Sequence, residues 1–236
     1  MRDWIDWYDS DHTIYVNARH RDVHFRRIAT DILEFVQNPS ATVLDYGCGE
    51  ALHAELIAVR SAKLLLAEPA AGVRARLAVR YADNAKIAVR SLEDLASSPK
   101  HAIDLVVMHS VAQYMTPTEL GSALERIREL MKPQGLLVLG DIIAPQTPAA
   151  VDALSLLGFG WDNGFFIAAF TGLVRTFLSD YWRLRSTIGL TRYDAKAIET
   201  LLLEHGFSGQ RTARNIGHNQ ARATYRCNVV QVEARA

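Results

Sequence analysis

The stretch that most restricts how this chain can fold is Thr42-Val-Leu-Asp-Tyr-Gly-Cys-Gly-Glu50, an apolar run that ends in an acid and then in two glycines one residue apart. Thr42 to Leu44 read as a buried strand. Asp45-Tyr46-Gly47-Cys48-Gly49 reads as a tight turn, because glycine reaches positive φ freely and lets another group come close to the backbone. Ala51 to Val59 then carries apolar residues at helical spacing, so the turn stands where a strand hands over to a helix. That is where open α/β sheets bind their ligands. A dinucleotide fingerprint needs a third glycine three residues after the second, and Leu52 occupies that position, which disfavours NAD. Asp45, directly before the first glycine, would repel a pyrophosphate but can hold an ammonium group or a backbone amide. A turn with a purely structural purpose would use the same two glycines.

The rest of the chain supplies the elements around this turn. A helix is expected over roughly Asp22 to Val36, with Val23, Ile28, Ile32, Leu33 and Phe35 on its apolar face, ended by Asn38-Pro39-Ser40. Further strands are expected over Ala62–Ala67, Lys86–Arg90, Ile103–Met108 and Leu136–Gly140. The continuous apolar run of the fourth suits the middle of a parallel sheet. Helices fall between them, at Val73–Tyr81 and from Thr116-Pro117 to about Met131, the latter opened by a cap and a first-turn proline. After Tyr193–His205, an amphipathic helix, strands at Gln210–Ile216 and Ala223–Val232 are expected to form a hairpin around Gly217-His218-Asn219-Gln220.

Glu68-Pro69 closes the second strand about twenty residues after the glycine turn, where a βαβ nucleoside site places an acid to accept hydrogen bonds from ribose hydroxyls. His20 and His24, at i and i+4, share a helix face. Without a third ligand a solvated face is favoured there over a metal site.

The 236 residues suit one α/β domain with an embellishment, and 49% hydrophobic content is ample for a core. Lys plus Arg equals Asp plus Glu at 26 each, so no net positive field draws in a nucleic acid. Cys48 and Cys227 show neither metal spacing nor a disulfide framework. The opening Met-Arg-Asp-Trp-Ile-Asp-Trp lacks the apolar core of a signal peptide, which makes a cytoplasmic setting the expectation.

Asp-x-Gly-x-Gly after a strand resembles motif I of the class I S-adenosylmethionine-dependent methyltransferases. Residues 41 to 143 are similar to that family by motif, and 191 to 234 by element order. The Lys132-Pro-Gln-Gly135 turn between helix and strand and the Leu202-to-Phe207 helix end add to the likeness. The resemblance implies a Rossmann-like, doubly wound, seven-stranded and mostly parallel sheet with helices on both faces. It implies S-adenosyl-L-methionine as cofactor and S-adenosyl-L-homocysteine as product. By that resemblance Asp45, Gly47, Cys48, Gly49, Glu68 and Pro69 hold the cofactor's methionine and ribose. Leu92 would contact the adenine, and Ser91 stands where the family usually has an acid, so that Ser91 or Glu93 or Asp94 would take the adenine edge. His109 and Tyr114 follow the fourth strand, beside the methyl donor.

The aromatic residues 1 to 40 would then form an arm or lid. The apolar 144 to 190 segment, with a long helix from Phe165 towards Leu184, would form a helical insertion that acts as a substrate lid or a homodimer face. Its charge-free run, Gly164 to Val174, is far shorter than the roughly 20 residues of a membrane span. The acceptor expected is a small-molecule, lipid-linked or saccharide hydroxyl, with no nucleic acid and no metal involved. His109 and His218 are the candidate bases and Tyr114 orients the acceptor. A non-catalytic nucleoside-binding regulatory module is the alternative reading.

Overall fold

The computed structural model describes residues 2–9, 15–177 and 189–230. Its centre is a sheet in the order β3-β2-β1-β4-β5-β7-β6, formed by β1 (Thr42–Tyr46), β2 (Lys63–Ala67), β3 (Ile87–Arg90), β4 (Ile103–His109), β5 (Met131–Ile142), β6 (Phe207–Arg211) and β7 (Ala223–Val229). Strands β1 to β5 pair in parallel, and β7 runs antiparallel between β5 and β6. The chain leaves β1 towards β2 and β3, then returns to lay β4 on the other side of β1, which opens a crevice at the carboxyl ends of β1 and β4.

The continuous apolar runs are explained by burial on both faces. Leu44, Leu65, Val106, Met108, Leu137 and Leu139 face one layer, packed against Leu120, Leu124 and Ile127 of α5 (Pro117–Leu130) and Ile198 and Leu202 of α8 (Ala195–Glu204). Their strand neighbours Val43, Leu64, Leu66, Leu105, Val107 and Val138 face the other layer. There they meet Ala29 and Ile32 of α2 (Ala18–Leu33), Ile57 of α3 (Ala54–Val59) and Val73 and Leu77 of α4 (Ala71–Arg80). Thr116 and Glu119 close a capping box on α5 ahead of Pro117.

Several expected boundaries move, each for a local reason. α2 starts four residues before Asp22, because the Asn17 side chain accepts the His20 N–H at 2.8 Å. α3 starts at Ala54, since Ala51 takes a left-handed φ of 40° as the chain leaves the glycine turn. Lys132-Pro-Gln-Gly135 bulges within β5, where the register steps from Ile103 opposite Met131 to Leu105 opposite Leu136.

The hairpin differs most from expectation. β6 ends at Arg211, and residues 212–222 form a long loop in place of the expected strand up to Ile216. Gly158 and Gly160 do not break the insertion: both lie inside α6 (Ala149–Asp162), and a side chain at Gly160 would meet Ala169 and Phe165. The turn falls at Asn163-Gly164, and α7 covers Phe166–Phe177. The remainder of the helix expected towards Leu184, with Arg183 and Arg185, lies outside the described residues. No helix among the described residues is long and apolar enough to cross a membrane.

Candidate active site

The glycine turn is stapled to the end of β2. Gly47 and Cys48 donate to the Ala67 carbonyl at 2.7 and 3.2 Å. Gly49 donates to Glu68 Oε2 and Ala70 to Glu68 Oε1, both at 2.9 Å. Glu68, 5% exposed, thus binds two loops together. Burial pushes its carboxyl up, while the two amide donors pull it back. Gly47 has φ 75°, and a Cβ there would lie 2.6 Å from Val111 Cγ2, so only glycine lets the β1 turn close against the segment after β4.

Asp45, on β1, differs from Glu68, which follows the neighbouring β2. It has no hydrogen-bond or ion-pair partner among the described residues. Burial, followed by the nearby Glu68 charge, pushes its carboxyl up to about 7. A half-buried carboxylate of this kind suits a cationic group.

Both carboxylates line a cavity of about 520 Å³ that runs from the β1–β2 side of the crevice to the ends of β4, β5 and β7. Gly47, Cys48, Gly49 and Pro69 form its wall beside them. On the far side stand His109 at the end of β4, Ser110 and Tyr114 after it, Asp141 of β5, Arg222 before β7 and His218 from the long loop. α1 (Arg2–Asp9) adds Trp4, Ile5 and Tyr8. Trp4 is 2% exposed and its ring lies 4.6 Å from that of Tyr114, while the Tyr8 and Tyr114 hydroxyls are 2.9 Å apart. Asp9 ties the helix to α4 by accepting the Val73 N–H at 3.2 Å.

Of the residues predicted from sequence, Asp45, Gly47, Cys48, Gly49, Glu68, Pro69, His109, Tyr114 and His218 all come to this cavity. Ser91, Leu92 and Glu93 are not part of its wall. Ser91 and Asp94 are engaged with each other, Ser91 N–H to Asp94 Oδ2 at 2.9 Å and Asp94 N–H to Ser91 Oγ at 3.0 Å. Leu92 packs at the edge of the core, and Glu93 is exposed.

The structure corrects one reading outright. His20 and His24 do not face solvent but turn into the cavity, with His20 only 4% exposed. Among the described residues no group of three or more His, Cys, Asp or Glu side chains is arranged to hold a metal ion.

A buried polar network that sequence reasoning missed closes the far side. Arg222 donates from Nη1 to Gln113 Oε1 at 2.8 Å and Asp141 Oδ2 at 2.9 Å, and from Nη2 to Asp152 Oδ2 at 3.1 Å. Ser110 Oγ donates to Asp141 Oδ2 at 2.7 Å, and Asn219 Nδ2 to Asp152 Oδ1 at 2.8 Å. Burial opposes the Arg222 charge, but the two carboxylates outweigh it and keep the guanidinium protonated. Ser110 and Asp141 both hold left-handed backbone, φ 59° and 67°, a strain that clusters at functional sites. An acid at a strand end was the only sequence signal for Asp141, and nothing local marked Arg222.

Residues 18–211 match the family described as a methyltransferase domain. The chain belongs to that family: it is a class I methyltransferase, with S-adenosylmethionine as the methyl donor. Solved structures share the fold at low identity. The magnesium protoporphyrin IX methyltransferase of Synechocystis, solved with bound S-adenosylhomocysteine, is 17% identical with a TM-score of 0.58, over 97% of this chain and 93% of that one. The 1,6-didemethyltoxoflavin-N1-methyltransferase of Burkholderia thailandensis is 14% identical with a TM-score of 0.58, over 98% of this chain and 87% of that one. An S-adenosylmethionine-dependent methyltransferase from Aquifex aeolicus is 13% identical with a TM-score of 0.54, over 85% and 89%. No curated protein matches the chain in sequence.

Proposed function

We propose that the chain is a single methyltransferase domain that methylates a hydroxyl oxygen of a small or lipid-linked molecule, saccharides included. The observation that carries this reading is the one cavity with two unlike sides: unpaired carboxylate and glycine turn on one, neutral imidazoles and aromatic rings on the other. The enzymes of known structure named above act on a porphyrin and on a toxoflavin precursor, which are small molecules of this general kind.

The residues fit the cofactor. The unpartnered Asp45 is the counter-charge for its amino group. Each Glu68 oxygen accepts one backbone N–H and keeps a second acceptor site, so the carboxylate can take two ribose hydroxyls while it holds both loops. Gly47, Cys48 and Gly49 offer bare backbone to the methionine portion, with Pro69 beside the ribose. Ser91, Leu92 and Glu93, at the end of β3, are left for the adenine, with Leu92 as its apolar contact. When bound, S-adenosylmethionine supplies a methyl group on a positively charged sulfur, ready for nucleophilic attack.

On the acceptor side Tyr114 orients the incoming hydroxyl. His109 or His218 takes its proton. Burial holds both below the ordinary imidazole value, His218 at about 4, so both are neutral at pH 7. α1 is the inner face of a lid made by residues 1–40, and the 144–190 insertion, through Ala149, Ala153, Leu156 and Leu173, is the wall that covers the substrate. Holding two reactants in line is worth on the order of 7 to 11 kcal/mol and accounts for much of the rate expected of such a chamber.

Calorimetric titration with S-adenosylmethionine and S-adenosylhomocysteine, with NAD as control, tests the cofactor half. Transfer of a labelled methyl group to a panel of hydroxylated small molecules tests the acceptor half. Micromolar binding of the first two compounds, and label in an ether product, are expected. Label found only in amines or thiols would overturn the oxygen assignment.

A further inference from the structure

The far side of the cavity holds four imidazoles, and their surroundings differ in a way that separates their roles. His20 Nδ1 accepts the N–H of Val16 at 3.3 Å, so its proton resides on Nε2. His24 Nδ1 and His109 Nδ1 are buried and without a partner. An orphaned lone pair is tolerated in an interior far better than an orphaned N–H, which places the proton of each ring on Nε2 as well. For His109 the packing supports this: Nδ1 lies against Gly140, where a Cβ would come within 2.7 Å of it.

His20, His24 and His109 therefore offer N–H donors to the cavity and no reachable lone pair. His218 is the exception. It makes no hydrogen bond and neither of its ring nitrogens is sealed from the cavity. One of them is thus an accessible acceptor.

The walls around these rings are flat. His218 stacks on Phe159 at 4.4 Å and 12° between planes, and His20 on Phe165 at 4.9 Å and 20°. His24 stands edge-on to His218 at 5.8 Å and tilts against Tyr15 at 5.6 Å. With those faces covered, the cavity itself is walled by the rings of Trp4, Tyr8, Tyr15, Phe25 and Tyr114 beside the imidazoles, and such a wall admits a planar ring more readily than a puckered sugar or a branched alcohol.

We infer that the acceptor is a planar phenol or enol, that His218 is the base that receives its proton, and that the His24 N–H is a positioning donor beside the reacting oxygen. This rests on the methyltransferase reading and narrows its acceptor. The acceptor oxygen gives its proton to His218 and its electron pair to the methyl carbon. The carbon–sulfur bond breaks with its electrons left on sulfur, so one charge disappears from the sulfonium as one appears on the imidazole, and the proton then passes to solvent.

The charge on His218 has supporters and opponents. Burial lowers its affinity for a proton first, Asp141 and Asp152 raise it, and Arg222 and His109 lower it. The balance leaves a neutral but weak base, which matches the acidic hydroxyl of a phenol and not that of an alkyl alcohol.

The test uses para-nitrophenol as probe, with cyclohexylmethanol as the non-planar, non-acidic control, added to full-length protein saturated with S-adenosylhomocysteine. Calorimetry should show tighter binding of the phenol than of the alcohol, and His218→Phe, which keeps a flat ring on Phe159 but removes the acceptor nitrogen, should weaken phenol binding at least about tenfold while leaving S-adenosylhomocysteine binding intact. Long-range proton–nitrogen spectra of histidine-labelled protein should show His20, His24 and His109 protonated on Nε2. Unchanged phenol affinity in His218→Phe, or a His109 proton found on Nδ1, would overturn the base assignment. Tighter binding of the alcohol than of the phenol would overturn the acceptor class. Failure of S-adenosylhomocysteine to bind would instead remove the cofactor reading beneath both.

Discussion

The two sides of the cavity are built by different means. The cofactor side consists of strand ends and the turns that follow them, so its groups are set by sheet register and backbone hydrogen bonds: Gly47 and Cys48 on Ala67, Gly49 and Ala70 on Glu68. The acceptor side gathers α1, α2, the α6–α7 pair and the loop before β7. Its order comes from side chains: a buried Arg222 network, a ring cluster and two strained residues. A backbone-built site is tolerant of side-chain change except at the residues that replace a backbone partner. A side-chain-built site fails as a unit when its central charge is lost.

The largest effect expected follows from that contrast. Arg222→Met leaves Asp141 and Asp152 buried without their cation, and breaking a buried pair by removing one partner costs about 3–5 kcal/mol. Urea unfolding should show a loss of that size. A double change, Arg222→Met with Asp141→Asn, should recover part of it. A loss below about 1 kcal/mol would mean that the network is no more than a surface salt bridge in energetic terms.

Glu68→Ala is the matching break on the other side. It strips acceptors from the Gly49 and Ala70 amides, at about 1–3 kcal/mol for each donor left unmet. Affinity for S-adenosylhomocysteine should fall at least about tenfold, or 1.4 kcal/mol, measured by calorimetry. Unchanged affinity would leave Glu68 as a loop staple alone. Smaller in stability but sharper in function, His218→Ala should lower turnover more than cofactor affinity, since its ring rests on Phe159 and not on the glycine turn.

The same contrast explains what the sequence revealed. Asp45, the glycines and Glu68 were legible because strand, turn and acid succeed one another locally, and the parallel sheet places each strand end on the same edge. The sheet itself was legible because strands buried on both faces read as unbroken apolar runs. His20 and His24 were misjudged because their helix face is covered by α6 and α7, elements more than 120 residues away in the chain. Arg222 carried no signal, since only the fold brings it to Asp141 and Asp152. Residues 212–216 were read as strand, but there the chain is held by side-chain contacts, such as Asn215 with Thr224 and Asp141, and not by a ladder.

Asp45 supplies the subtlest separation of the two sides, through pH. Its carboxyl is raised from 3.8 to about 7 in the folded protein. A folded-state value above the unfolded one means that folding favours the protonated form. Asp45 therefore stabilises the ligand-free fold at acidic pH, and that contribution is lost as pH rises from about 4 to about 7. A cationic amino group binds the ionised form, so cofactor affinity should run the opposite way, weakening several-fold as pH falls from about 8 to about 6 with proton release on binding. Asp45→Asn should bind more weakly at all pH values, at least about tenfold near pH 8, show no such slope, and be no less stable than the parent near neutral pH when free of ligand. Calorimetry in two buffers of different ionisation enthalpy counts the released proton directly. A slope that persists in Asp45→Asn would shift the titrating group to Glu68 and make the two carboxylates exchange roles.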